Sequence, residues 1–141
     1  MLETVIKTVF GIYLFVMAVV DMKSRYLSVK ILAFGGMLCI MSAFITTTVI
    51  WQSMAGGLLT GAVFVILSLL TRGQIGMADG IVLCMTGIVS GTAGNLAIIA
   101  WALILVAIVS TVLVLIKKLG RRSRIPFIPF IFAGYVLRCV V

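Results

Sequence analysis

Long apolar runs fill almost the whole chain, and this pattern limits the folds that are open to it. Short segments containing basic residues or glycine separate the runs, which cover residues 5–20, 31–50, 54–70, 78–90, 96–116 and 126–141. A helix needs about 20 apolar residues to cross the hydrocarbon core of a bilayer, so most of the runs match one membrane span. The sequence therefore predicts an all-α polytopic membrane protein with about six transmembrane helices.

The fourth run, residues 78–90, is the shortest of the six. A helix of this length rises only about 20 Å, which is less than the thickness of the hydrocarbon core. The helix could extend into the Gly-Thr-Ala-Gly turn predicted at 91–94, and a five-span count stays open. The distribution of charge favours an even count.

Basic residues are spread unevenly between the connecting segments. With six spans and the N-terminus outside, nine of the eleven Lys and Arg residues fall on one side, while Lys7 and Arg138 fall on the other. Because positively charged loops stay in the cytoplasm, this bias assigns segments 21–30, 71–77 and 117–124 to the cytoplasm. We therefore expect one membrane-embedded domain over residues 1–141 in the cytoplasmic membrane. Its basic residues would face lipid headgroups rather than nucleic acid.

Several common catalytic and metal-binding groups are missing from the composition. The chain has no histidine, which excludes Ser-His-Asp and Cys-His nucleophilic machinery and removes the commonest metal ligand. Its three cysteines, Cys39, Cys84 and Cys139, lie far apart in apolar runs and are interpreted as buried small side chains. We expect neither a metal ion nor a cofactor.

Acidic residues are rare, and two of the three fall at the same predicted membrane depth. Asp21 follows the first run and Asp79 begins the fourth, so both lie at cytoplasmic ends of their spans. Asp79 could simply cap a helix. Asp21 could pair with Arg25 four residues later, for about 0.3–0.5 kcal/mol. Ionisable residues at a membrane are costly enough to indicate function, so Asp21 and Asp79 are the candidate catalytic residues.

A pair of carboxyl groups is sufficient for peptide hydrolysis. Two carboxyls that face each other in a small hydrated cavity share one proton, because both are not easily ionised together. The ionised carboxyl accepts a proton from the attacking water, and the protonated carboxyl donates to the peptide carbonyl oxygen. This chemistry of an aspartyl protease needs no histidine, cysteine or metal ion, so the composition permits it.

Two other functions are compatible with acids in a small membrane protein. A small ion or proton-coupled transporter would carry its acids near the bilayer midplane, often on broken helices, whereas Asp21 and Asp79 are predicted at the cytoplasmic edge. A catalytically silent membrane scaffold is the other alternative, and it agrees with the small size of the chain. Both alternatives stay open on the sequence.

Three short sequence motifs occur in a fixed order along the chain, near the ends of predicted helices. Segment 21–28, DMKSRYLS, has an Asp followed by basic residues after the first predicted helix, and segment 76–79, GMAD, is close to Gly-x-Gly-Asp. Segment 125–134, IPFIPFIFAG, lies where the last predicted helix begins. In this order and spacing the segments resemble the type IV prepilin peptidases, which are GxGD-type intramembrane aspartyl proteases.

The resemblance implies an aspartic endopeptidase that removes the basic leader peptide of type IV prepilins or pseudopilins at the cytoplasmic membrane face. Asp21 and Asp79 would be its catalytic pair, and its substrates would serve a type IV pilus or a related protein secretion system. Ala78 departs from the usual Gly, and Ile81 stands where a Lys is often found. Nothing corresponds to the cysteine-containing N-terminal segment of the larger members, so methyltransferase activity is not expected.

Glycine spacing predicts close helix contacts in the middle of the chain. Gly57 and Gly61 form one Gly-x-x-x-Gly pair, and Gly87 and Gly91 form a second. Such pairs allow the backbones of neighbouring membrane helices to approach closely. We expect the third and fourth helices to approach neighbouring helices closely through them.

Overall fold

The computed structural model describes residues 1–24, 29–45, 51–72, 77–116 and 127–140. Within these ranges the chain is all-α, which confirms the all-α part of the predicted fold class. The helices are α1 (Leu2–Ser24), α2 (Val29–Ile45), α3 (Trp51–Leu70), α4 (Met77–Leu115) and α5 (Ile128–Val140). Each helix lies on a predicted apolar run, and α4 contains both the fourth and the fifth.

Three of these helices are long and apolar enough to cross a membrane, namely α1 over Thr4–Lys23, α3 and α4, whereas α2 and α5 are shorter apolar helices. Large apolar side chains such as Phe44, Leu59 and Ile108 are exposed on the outside of the bundle. Continuous apolar surface of this kind is unfavourable in water and suits contact with lipid. The chain therefore has the character of a membrane-associated protein.

Helix α4 turns back on itself at Gly91, which has φ 76° and ψ 178°. This backbone conformation is open essentially to glycine alone. The Thr86 hydroxyl donates to Asn95 Oδ1 at 2.7 Å, although nine residues of straight helix would separate the two positions by about 13 Å. Helix α4 therefore consists of two segments, α4a (77–90) and α4b (92–115), and the break lies within the turn predicted at 91–94.

Helices α3 and α4a meet through glycine, and we call this contact the glycine seam. A Cβ atom on Gly57 would overlap the Gly87 carbonyl oxygen, and one on Gly61 would overlap the Cys84 backbone nitrogen. The predicted close approach is confirmed for Gly57, Gly61 and Gly87. Gly91 has a different role, because it forms the turn of α4 instead of a helix contact.

Helices α1 and α5 are antiparallel and pack through aromatic rings, and we call this contact the aromatic seam. The rings of Phe10 and Tyr135 meet edge to face with centroids 5.6 Å apart, and those of Phe15 and Phe132 do so at 5.5 Å. The Tyr135 hydroxyl donates a hydrogen bond to the Lys7 carbonyl oxygen at 2.9 Å. This pairing places the start of α5 beside the end of α1.

The three cysteines are all free, but their surroundings differ. Cys39 is buried, Cys84 is half-buried and Cys139 is exposed near the end of α5. The interpretation as buried side chains is confirmed for Cys39 and wrong for Cys139. An apolar run in a membrane helix has one side that faces lipid, so apolar surroundings in sequence do not establish burial within the protein.

Candidate active site

Asp21 lies in the last turn of α1 and is only 9% exposed. Its carboxyl accepts a hydrogen bond from the backbone N–H of Ile128, the first residue of α5. The first N–H groups of a helix have no partner within that helix, and the helix dipole favours negative charge there. The beginning of α5 therefore supplies a hydrogen-bond donor to an acid at the end of α1.

The second oxygen of the Asp21 carboxyl, Oδ2, is buried and has no hydrogen-bond partner among the residues that the structure describes. Buried polar atoms are nearly always paired, and leaving one unpaired costs about 1–3 kcal/mol. The predicted ion pair between Asp21 and Arg25 lies outside the described residues. Asp21 thus has one oxygen that accepts a backbone hydrogen bond and one buried oxygen whose hydrogen-bonding capacity is unused in the described ranges.

Asp79 lies in the first turn of α4 and is half-buried. It is close enough to Asp21 for the two carboxyls to interact electrostatically. Because α4 begins at Met77, Asp79 is the third residue of the helix rather than its N-cap, although it still lies in the turn where the helix dipole favours negative charge. The structure therefore brings the two predicted site residues to the same end of the bundle.

The glycine seam fixes the position of Asp79. A Cβ atom on the next residue, Gly80, would lie 2.9 Å from the backbone nitrogen of Val65 on α3. Only a glycine at this position lets the two backbones approach so closely. The start of α4a is consequently held against α3, and Asp79 with it.

Basic residues divide between the two ends of the bundle. In the described part of the chain, Lys23, Lys30 and Arg72 lie at or beside the helix ends nearest the aspartates, whereas Lys7 and Arg138 lie at the opposite end. This separation follows from the antiparallel packing of α1 with α5 and of α3 with α4a. It agrees with the charge pattern from which the topology was predicted.

Two carboxyls and a buried backbone N–H make up the described chemistry of this site. No group of three or more His, Cys, Asp or Glu side chains is placed to hold a metal ion in the described ranges. The function that paired carboxyls supply is proton transfer to and from a bound group. Ile81, the position where the sequence motif would have a Lys, packs against the apolar core. A Lys side chain there would lose its hydration.

Sequence reasoning missed the polar cluster that holds α3, α4a and α4b together. The Asn95 amide donates to the Gly57 carbonyl oxygen at 3.1 Å and to Thr60 Oγ1 at 2.5 Å, and it accepts from the Thr86 hydroxyl. Asn95 and Thr86 are fully buried. Asn95 is the chain's only asparagine and stands at the edge of an apolar run. A lone amide in this position was the sequence signal that could have indicated a buried polar contact.

Sequence reasoning also missed the contact between Ile128 and Asp21, because a backbone N–H leaves no trace in residue type. Parts of the three motif segments, including Gly76 and Pro126, lie outside the described residues.

No protein-family model matches the chain, and no curated protein or solved structure matches it. Function must be argued from the residues of the site itself.

Proposed function

We propose that the chain is an intramembrane aspartyl endopeptidase with Asp21 and Asp79 as its catalytic pair. The observation that carries the proposal is the buried Asp21 Oδ2, which has no hydrogen-bond partner in the described ranges and belongs to a carboxyl that interacts with a second one. A buried carboxyl oxygen that has lost water without gaining a partner is stabilised by a proton, a trapped water or a polar group of a substrate. Those are the participants in aspartyl-protease hydrolysis.

The hydrolysis proceeds by two proton exchanges. The ionised carboxyl takes a proton from water while the water oxygen bonds to the peptide carbonyl carbon, and the protonated carboxyl gives its proton to the carbonyl oxygen. The newly protonated carboxyl then donates to the amide nitrogen as the C–N bond breaks, while the other recovers a proton from the tetrahedral intermediate. The products are a carboxylic acid and an amine, and the pair returns to its starting protonation.

The substrates we propose are type IV prepilins or pseudopilins, cleaved after their basic leader peptide. This assignment is supported by the resemblance of segments 21–28, 76–79 and 125–134 to the prepilin peptidase motifs. One residue from each segment contributes to this site, since Asp21 accepts a hydrogen bond from Ile128 and interacts electrostatically with Asp79.

The topology we propose has six spans, with the N-terminus outside and the active site facing the cytoplasm of a cytoplasmic-membrane protein. The turn at Gly91 supports it, because α4a and α4b then count as separate spans. The division of the described basic residues between the two ends of the bundle also supports it. In this arrangement Asp21 and Asp79 lie at the cytoplasmic edge, where a prepilin leader is located.

Co-expression with a type IV prepilin from the same genome tests this function, with leader removal scored by gel shift. Asp21→Asn and Asp79→Asn keep side-chain size but remove the acid, and each is expected to slow processing by about 10²–10⁴-fold. Glu3→Gln removes the third acid of the chain and should leave processing unchanged. If either Asp variant inserts into the membrane and processes at the wild-type rate, the protease assignment is wrong.

A further inference from the structure

A groove of about 660 Å³ lies at the end of the bundle opposite the aspartate pair. The beginning of α1 and the end of α5 form its sides, and Val89 and Ser90, next to the turn of α4, contribute to its lining. Lys7, on the rim, is fourteen residues before Asp21, which corresponds to about 21 Å along α1. The groove is therefore a separate site from the carboxyl pair.

One part of the groove is cationic and polar. Lys7 and Arg138 both line it, although they are far apart in sequence, because the antiparallel contact between α1 and α5 brings them to one place. Thr4, Thr8 and Ser90 add hydroxyl groups to the same lining. The Thr8 hydroxyl already donates to the Thr4 carbonyl oxygen, so the two positive charges and the hydroxyls of Thr4 and Ser90 are the groups that suit the oxygens of a phosphate ester.

The rest of the groove is apolar and extends toward the middle of the bundle. Ile12, Phe15 and Val136 line it and are 60%, 53% and 40% exposed, and Phe132 completes this wall. Along α1 these residues lie on the side of the cations that is nearer the bilayer interior. The groove therefore joins a charged edge to an apolar slot.

We propose that this groove binds an anionic phospholipid, with the phosphate between Lys7 and Arg138 and one acyl chain along Ile12, Phe15 and Phe132. Basic pockets between membrane helices bind anionic headgroups, and charge complementarity at the rim selects such a ligand over a neutral lipid. An apolar helix of another protein would fill the slot but would bring no negative charge to the two cations. The proposal does not depend on protease activity.

Native mass spectrometry of the full-length protein, titrated with phosphatidylglycerol or phosphatidylcholine of matched acyl chains, measures this binding. Phosphatidylglycerol should bind more tightly, and Lys7→Gln and Arg138→Gln should each weaken it about fivefold without affecting phosphatidylcholine. Lys30→Gln removes a positive charge at the other end and should have no effect. Equal binding of the two lipids, or unchanged binding in both groove variants, would overturn the proposal.

A second measurement keeps the test independent of the charge variants. Val136→Trp fills the apolar slot while leaving both cations, so phosphatidylglycerol binding should fall while the helical circular dichroism is retained. In the unaltered protein, phosphatidylglycerol should slow alkylation of Cys139, which lines the groove, whereas phosphatidylcholine should not. A protein helix cross-linked to Cys139 in the presence of excess phosphatidylglycerol would contradict the lipid assignment.

The lipid site and the catalytic pair can fail separately. Asp21→Asn should bind phosphatidylglycerol as the wild type does, because Asp21 is at the far end of α1. Loss of processing in that variant together with retained lipid binding is the result expected if both proposals are correct. Retained processing with normal lipid binding would remove the protease assignment and leave the lipid site standing.

Discussion

Two helix contacts hold this bundle together by opposite means. In the glycine seam the backbones of α3 and α4a touch at Gly57 and Gly87, with no side chain between them. In the aromatic seam side-chain rings lie between α1 and α5, as those of Phe15 and Phe132 do with centroids 5.5 Å apart. In lipid there is no hydrophobic force between helices, so their association depends on close packing and hydrogen bonds. Backbone contact at glycine fixes the distance between α3 and α4a, whereas ring packing leaves space between α1 and α5. The groove lies in that space.

Each seam positions one aspartate. Asp79 begins α4a next to Gly80, which touches α3, and Asp21 ends α1 where its carboxyl accepts the Ile128 N–H of α5. The separation of the two carboxyls therefore depends on how the seams are held relative to one another. The glycine seam should be intolerant of substitution and the aromatic seam tolerant. Gly57→Leu and Tyr135→Phe test this difference, and Gly91→Ala tests the turn that follows the glycine seam.

Gly57→Leu is expected to have the largest effect. The new side chain would meet the Gly87 carbonyl, and a backbone cannot move aside without separating α3 from α4a. We expect a loss of about 3 kcal/mol or more in the free energy of unfolding, with loss of leader cleavage as Asp79 shifts. Circular dichroism during titration of micelles with SDS measures the stability.

Gly36→Leu is the matched control, because a Cβ atom on Gly36 meets nothing within 4 Å. This variant makes the same chemical change on α2 in open space. Its stability should stay within about 0.5 kcal/mol of wild type. Equal destabilisation by the two variants would show that backbone contact is not what makes the glycine seam intolerant.

Gly91→Ala is expected to have an intermediate effect. At φ 76° and ψ 178° an added Cβ is strained whatever space surrounds it, so we expect a loss of about 1–3 kcal/mol in unfolding free energy. The same SDS titration measures it, with Gly36→Ala as the control. A variant as stable as the control would mean that α4 does not need the turn at Gly91.

Tyr135→Phe is expected to have the smallest effect. It removes the hydrogen bond to the Lys7 carbonyl oxygen but keeps the ring that packs on Phe10. Hydrogen bonds between membrane helices average about 0.6 kcal/mol, so the loss of stability should be of that size. A loss as large as that of Gly57→Leu would show that the aromatic seam is as demanding as the glycine seam.

Much of the helical fold could be predicted from apolar runs alone. A run long enough to span a bilayer must satisfy its backbone internally, and a helix does so locally. The predicted run 54–70 and helix α3 (Trp51–Leu70) differ by three residues at one end, and α1 (Leu2–Ser24) extends beyond run 5–20 at both ends. Polar and charged residues near a membrane surface can continue a helix, so an apolar run does not fix where its helix begins and ends.

Less of the site could be predicted. Scarcity of acids pointed to Asp21 and Asp79, because each ionisable group in an apolar chain is costly. The partner of Asp21 is a backbone N–H on α5, and Asn95 bonds across a turn whose angle depends on one φ value. Contacts of this kind depend on helix rotation and depth, which residue types do not specify.

By itself the sequence determined a chain of apolar helices, a turn near residue 91, a glycine-mediated contact and two isolated acids. These follow from local chemistry, namely the cost of charge in lipid and the backbone freedom of glycine. Only the tertiary structure decided that the first residue of α5 lies beside Asp21 and that Lys7 and Arg138 share one groove. Both depend on how α1 and α5 are aligned, and that alignment is set by ring packing between segments far apart in the chain.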